Sequence, residues 1–193
     1  MALRKIAQMG EPVLRKRARE LNPEEIGTPY IQTLIDDMIE TMHDADGAGI
    51  AAPQVYESLR LCVMELSGNP RYPTVPALPL TVLINPVLEI LVPNPEEAGD
   101  ADFVTMYEGC LSVSGIRGRV RRPRRCRVAG LDRDGVPFEI LLEGPLASVV
   151  QHETDHLDGV LFVDRVDSMT LTFLREYDRN VTPEERIVDG GAS

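Results

Sequence analysis

The sequence predicts an α+β fold in which short antiparallel or mixed strands pack around one central helix. Two observations predict it. Short apolar runs broken by Gly and Pro recur between residues 59 and 142, without the regular strand–helix alternation of a βαβ array. An amphipathic helix pattern follows over 145–158, and it carries His152-Glu153-Thr154-Asp155-His156. At 193 residues the chain fits one domain, placed at 1–176, with a polar tail over 177–193 that is expected to fray.

Each element has a local reason. Pro12-Val13-Leu14 opens a short helix, because Pro suits a first helical turn. Asn22-Pro23-Glu24-Glu25 and Gly27 mark turns. Thr28 is a good N-cap, Pro29 fits the first helical position, and Ile31, Leu34, Ile35, Met38, Ile39 and Met42 then make one apolar stripe. That stripe reads as core packing, and His43 near the helix end reads as a dipole partner rather than a ligand. Asp46-Gly47-Ala48-Gly49 stops this helix.

Residues 59–66 read as a strand and 67–79, with four prolines, as an irregular loop. Strands are expected at 81–84 and 87–92, separated by Asn85-Pro86 as a turn or bulge, with an acidic loop over 93–102. Residues 124–131 and 136–142 flank Asp134-Gly135, the signature of a β-hairpin. Gly159 stops the 145–158 helix. A short strand at 160–163 and a last helix capped by Ser168 and running to about 176 complete the expected order.

Composition narrows the function. No apolar run approaches the ~20 residues of a membrane span. The first ten residues lack the apolar stretch and small-residue site of a secretory signal. Cys62, Cys110 and Cys126 are odd in number and scattered, which fits a reducing cytoplasm rather than a disulfide framework. A net charge of −11 argues against broad nucleic-acid binding. The local exception is the run of arginines at 117, 119, 121, 122, 124, 125 and 127. It reads first as a solvated strand face, and second as an attraction to ribosomal RNA or a peptide carboxylate.

The chemistry centres on His152-Glu153-x-x-His156. Residues four apart share one helix face, so both imidazoles can meet one ion, while Glu153 flanks it as a general base. A catalytic site of this kind uses three protein ligands and keeps one position open. The longer metalloprotease motif would place its third His at 162, which is Phe here, so the third ligand lies elsewhere. Cys62 sits in an apolar strand and Cys126 in a charged one. Cys110, in Glu108-Gly109-Cys110-Leu111-Ser112, is the best placed. Glu108 can brace that loop or line a pocket mouth. Asp155 can orient a His or simply be solvated. Gly47-Ala48-Gly49-Ile50-Ala51-Ala52-Pro53-Gln54 lacks the pattern of a phosphate loop. It reads as a small-residue packing segment, or as a groove wall with Gln54 aimed at a reacting carbonyl.

Three segments in this order resemble the peptide deformylase family: Gly47 to Gln54 matches G-x-G-x-A-A-x-Q, Glu108 to Ser112 matches E-G-C-L-S, and Gln151 to His156 matches Q-H-E-x-D-H. Leu157 to Arg165 looks like the family's continuation, so the resemblance covers about residues 1–170. It implies a single catalytic domain that removes the formyl group from N-formylmethionyl nascent peptides in the cytoplasm. It implies Cys110, His152 and His156 as ligands of one divalent metal, with Fe²⁺ expected and Zn²⁺, Ni²⁺ or Co²⁺ as substitutes. Glu153 carries over as the catalytic carboxylate, and the Gln54 side chain and Leu111 N–H as oxyanion donors. Gly47, Gly49, Ile50, Met106, Arg117 and Val149 carry over as substrate-binding positions. Ser114 stands where members often have Pro, which puts loop shape in question. Some members dock on the ribosome through a basic C-terminal helix; this acidic tail has no such pattern, and any ribosome contact would be transient.

Overall fold

A computed structural model describes residues 2–66, 75–92 and 98–189. In chain order the helices are α1 (Pro23–Ile26), α2 (Pro29–Asp44), α3 (Pro145–Leu157), α4 (Leu174–Asn180) and α5 (Pro183–Arg186). The strands are β1 (Gly49–Ala51), β2 (Leu61–Met64), β3 (Thr81–Ile90), β4 (Phe103–Cys110), β5 (Val113–Pro123), β6 (Arg125–Leu131), β7 (Pro137–Glu143), β8 (Thr172–Phe173) and β9 (Ile187–Asp189). They form one antiparallel sheet in the order β1-β2-β3-β6-β7 and a second in the order β8-β5-β4-β9.

The strand period of two decides the layers. Leu61 and Val63 of β2 face the cluster that holds Leu34, Ile35 and Met38 of α2. Cys62 and Met64, between them, face the cluster that holds Ala147, Val150 and Leu157 of α3. The five-stranded sheet is therefore packed between α2 and α3, and α3 is left with its other side toward β4. Cys62 is a core residue, as its strand predicts, and burial pushes its thiol pKa well up.

Helix starts follow the caps. Thr28 Oγ1 accepts from Ile31 N, and Pro29 opens α2. Pro145 opens α3 after Gly144, whose φ of 62° is in the left-handed region that favours glycine. Gly159, at φ 76°, ends the turn after α3, and a Cβ there would lie 2.8 Å from the Arg15 carbonyl carbon. His43 lies in the last turn of α2, as expected, with Nε2 2.6 Å from Glu65 Oε2.

Several expectations change. Asn22-Pro23-Glu24-Glu25 is the start of α1 rather than a plain turn, with Glu25 accepting from Asn22 N at 2.8 Å. The two strands expected around Asn85 are one strand, and of the turn or bulge expected there the bulge is what forms. At φ 51° Asn85 makes this bulge inside β3, and its amide pairs with Leu21 N and O at 2.9 and 2.8 Å. Residues 160–163 form no strand, because the chain turns there through a short 3₁₀ helix, Phe162–Asp164, with Asp164 accepting from Leu161 N. The helix expected from Ser168 to 176 is a 3₁₀ turn capped by Asp167, then β8, and only then α4. Strand β5 takes up the backbone of this stretch and so displaces the helix. The tail expected to fray carries α5, and β9 pairs with Val104–Met106 of β4. Parts of the loops expected at 67–79 and 93–102, and the last four residues, lie outside the described residues.

Candidate metal centre

Helix α3 presents His152 and His156 on one face, with ring centroids 5.0 Å apart. Strand β4 brings the third group. Its alternation turns Met106, Glu108 and Cys110 inward while their neighbours stay more exposed. Cys110 Sγ lies 3.3 Å from His156 Nε2, and one ligand atom from each of Cys110, His152 and His156 falls within 4.8 Å of the others. Among the described residues this is the one such cluster.

Glu108 anchors the histidine. Its Oε2 lies 2.9 Å from His152 Nδ1, which leaves the other ring nitrogen of His152 for the centre. The same carboxylate accepts from Arg122 Nε at 2.6 Å and Nη2 at 3.0 Å, and from Ser148 Oγ at 3.2 Å. Arg122 continues through Nη1 to Asp155 at 2.8 Å, and Asp155 pairs with Arg165 through two 2.7 Å bonds. Glu108 thus braces the site from inside and is no part of a solvated mouth. Asp155 orients Arg122 rather than a histidine. Arg122, only 3% exposed, is buried, which corrects the solvated reading of the arginine run at that position.

Glu153 is buried beside the cluster, with Oε2 unpartnered, as is Nδ1 of His156. A Cβ at Gly49 would run into the Glu153 carboxyl group, so only glycine lets β1 approach it. Gln54 Oε1 accepts from Ala51 N at 2.8 Å, which turns its amide nitrogen toward Cys110 Sγ at 3.4 Å and Ser112 Oγ at 3.2 Å. The turn after Cys110 is held from outside: Gln8 donates to Leu111 O at 3.0 Å and accepts from Ser114 Oγ at 2.8 Å. Ser114 is therefore bonded in a loop where proline would make no such bond.

A cleft of about 210 Å³ opens over these groups. Gly47, Gly49 and Gln54 form one wall, and Met106, Gly109 and Arg117 another. Leu111 and Val149 also line it. Arg117 lies across Gly109, where a Cβ would strike its guanidinium. Ile50 does not line the cleft; it is fully buried in the α2-facing core, because its neighbours Gly49 and Ala51 point the other way along β1. Leu174 of α4 does line it, and no motif pointed there.

The family model described as polypeptide deformylase matches residues 3–171. The chain belongs to the polypeptide deformylase family. It is 40% identical to a peptide deformylase of Leptospira biflexa over 190 residues, 98% of this chain and 100% of that one. It is 43% identical to peptide deformylase 1 of Prochlorococcus marinus over 180 residues, 92% of this chain and 88% of that one. The solved class I type b peptide deformylase of Acinetobacter baumannii with Met-Ala-Ser bound superposes with a TM-score of 0.77 at 38% identity, covering 86% of this chain and 99% of that one. A peptide deformylase of Legionella pneumophila superposes with a TM-score of 0.72 at 39% identity, covering 87% and 88%. Polypeptide deformylases are metal-dependent hydrolases that remove the formyl group from nascent peptides, and this chain is one of them. The family match ends before Leu174.

The donor set of this deformylase suits a divalent cation. Burial alone would raise the Cys110 pKa, but the charges of His156 and His152 hold it well below the usual thiol range, so the sulfur favours the thiolate that binds metal. Burial would lower the His152 pKa; Cys110 and Glu108 outweigh it and raise it. Glu108, despite burial, is held at about 2 by Arg122 and His152. Burial raises the Glu153 pKa against the pull of both histidines. No helix among the described residues is long and apolar enough to cross a membrane.

Proposed function

We propose that Cys110, His152 and His156 hold the metal, ferrous iron in the cell, and that Glu153, Gln54 and the Leu111 N–H carry out the deformylation. The observation behind this reading is the meeting of a thiol, two imidazoles and a buried carboxylate with one unpartnered oxygen, of which Cys110, His152 and Glu153 line one cleft. When bound, the metal supplies Lewis acidity and lowers the pKa of a coordinated water from about 15.7 to about 7. Cys110, His152 and His156 would hold the ion with three protein ligands, the number typical of a catalytic rather than a closed structural site.

Glu153 accepts the proton of the attacking water and returns it to the leaving amine. A pKa raised by burial suits a group that must both take up and release a proton. The Gln54 amide, fixed through its oxygen by Ala51 N, donates to the formyl oxygen as that oxygen gains charge. The products are formate and a free α-amine. Met106 and Val149 give the cleft an apolar side for the methionine, and Arg117 stands where the peptide leaves the floor. The natural substrates are N-formylmethionyl nascent chains in the cytoplasm, met during transient contact with the ribosome.

The test is formate release from formyl-Met-Ala-Ser by anaerobically prepared protein carrying one equivalent of Fe²⁺. Wild type is expected to turn over. Glu153→Ala is expected to keep its metal and lose about 10²–10⁴-fold in kcat. An unchanged rate in Glu153→Ala would remove Glu153 from the base role.

A further inference from the structure

The cleft has a buried floor and an open rim. Gln54, Glu108, Glu153 and Cys110 are 1%, 4%, 4% and 8% exposed. Ser114 and Gly115 are exposed, and Arg117 and Leu174 half-buried. A formylated residue reacting at the floor therefore sends the next residues of its peptide out past this rim. Leu174 is the rim's contribution from the C-terminal segment.

That segment is fastened on both sides of the cleft wall. Asp167 N donates to Arg119 O at 2.9 Å, and Arg119 N donates to Thr170 Oγ1 at 2.8 Å. A Cβ at Gly118 would strike Val166, so the bare backbone of β5 lets the segment cross closely. Thr172 and Phe173 then pair with Arg117 and Ile116. Beyond Leu174, Tyr177 packs edge-on against Tyr107 at 5.2 Å, and Ile187 pairs with Met106. Leu174 is thus held between a strand bonded to β5 and a strand bonded to β4. It is a fixed wall and not a loose flap.

We propose that Leu174 is a specificity-determining residue, an apolar wall for the side chains that immediately follow the formylmethionine. The half-buried Arg117, which lines the same cleft, adds discrimination against cationic residues there. The proposal rests on the deformylase reading of the site.

The test compares kcat/KM for formyl-Met-Leu-Ser, formyl-Met-Lys-Ser, formyl-Met-Ala-Leu and formyl-Met-Ala-Lys. Wild type is expected to favour the Leu peptide at one of the two positions. Leu174→Ala should cut that Leu-over-Lys ratio about tenfold, the lower end for a lost apolar contact. Leu174→Glu should invert it. Leu174→Gln, close in size, should move the ratio the same way if the Ala variant folds poorly. Ratios unchanged in all variants, or an equal fall for every peptide, would overturn the proposal and leave Leu174 a structural residue. A wild type that releases no formate from formyl-Met-Ala-Ser would instead overturn the deformylase reading, and this proposal with it.

Discussion

At the scale of single residues, the centre depends on buried charges that brace one another. Arg122 is 3% exposed and satisfies both Glu108 and Asp155, while Glu108 in turn holds His152. Removing one member of a buried pair leaves an uncompensated charge and costs about 3–5 kcal/mol. Arg122→Ala is therefore expected to lose that much in denaturant unfolding. Because the support of His152 fails with it, metal affinity by titration should fall about 10–100-fold. The pH dependence has a definite sign. Glu108 stands at about 2 in the folded protein against 4.5 in the unfolded chain. Its contribution is complete above about 4.5 and is lost as pH falls toward 2, and it amounts to about 3 kcal/mol. Stability curves should therefore drop more steeply between pH 4.5 and 2 in wild type than in Glu108→Gln.

At the scale of elements, periodicity does most of the placing. Four-residue spacing on α3 brings His152 and His156 to one face, and two-residue spacing on β4 brings Met106, Glu108 and Cys110 to another. Helix α2 contributes nothing to the chemistry but closes one side of the sheet that α3 closes on the other. Leu34 is fully buried there. Leu34→Ala should cost about 2–5 kcal/mol in thermal or urea unfolding, with kcat little changed in the fraction that stays folded. The elements hardest to read were the shortest ones. Residues 160–163 are as apolar as a strand, yet the chain turns there through the 3₁₀ helix Phe162–Asp164. Residues 168–176 carry helical residues, yet β5 captures Thr172 and Phe173 first. At Thr172 and Phe173 a partner distant in sequence outweighed local preference.

At the scale of the whole molecule, the site exists because two sheets meet on one helix. The five-stranded sheet positions β1 with Gly49 against Glu153, and the four-stranded sheet positions β4 with Cys110 against His156. The core clusters are packed by the chain's own side chains, and among their members only Cys110 belongs to the proposed ligand set. Stripping the metal from the holo-protein with a chelator should therefore abolish formate release while far-ultraviolet circular dichroism is retained. The melting temperature should fall, since a ligand present at 100 times its Kd stabilises by about 2.7 kcal/mol.

The amino-acid sequence by itself determined the long helices, the hairpin at Asp134-Gly135, the two histidines with their glutamate, and Cys110 as their companion. These are legible because each rests on spacing within a few residues, or on a motif whose letters the chemistry requires. Only the tertiary structure decided that Arg122 is a buried anchor and not one more solvated arginine, that Ile50 turns into the core, and that Leu174 reaches the cleft. Each of those depends on which groups from remote segments arrive beside it. Burial and pairing are properties of the packed chain, and a local pattern of residue types does not carry them.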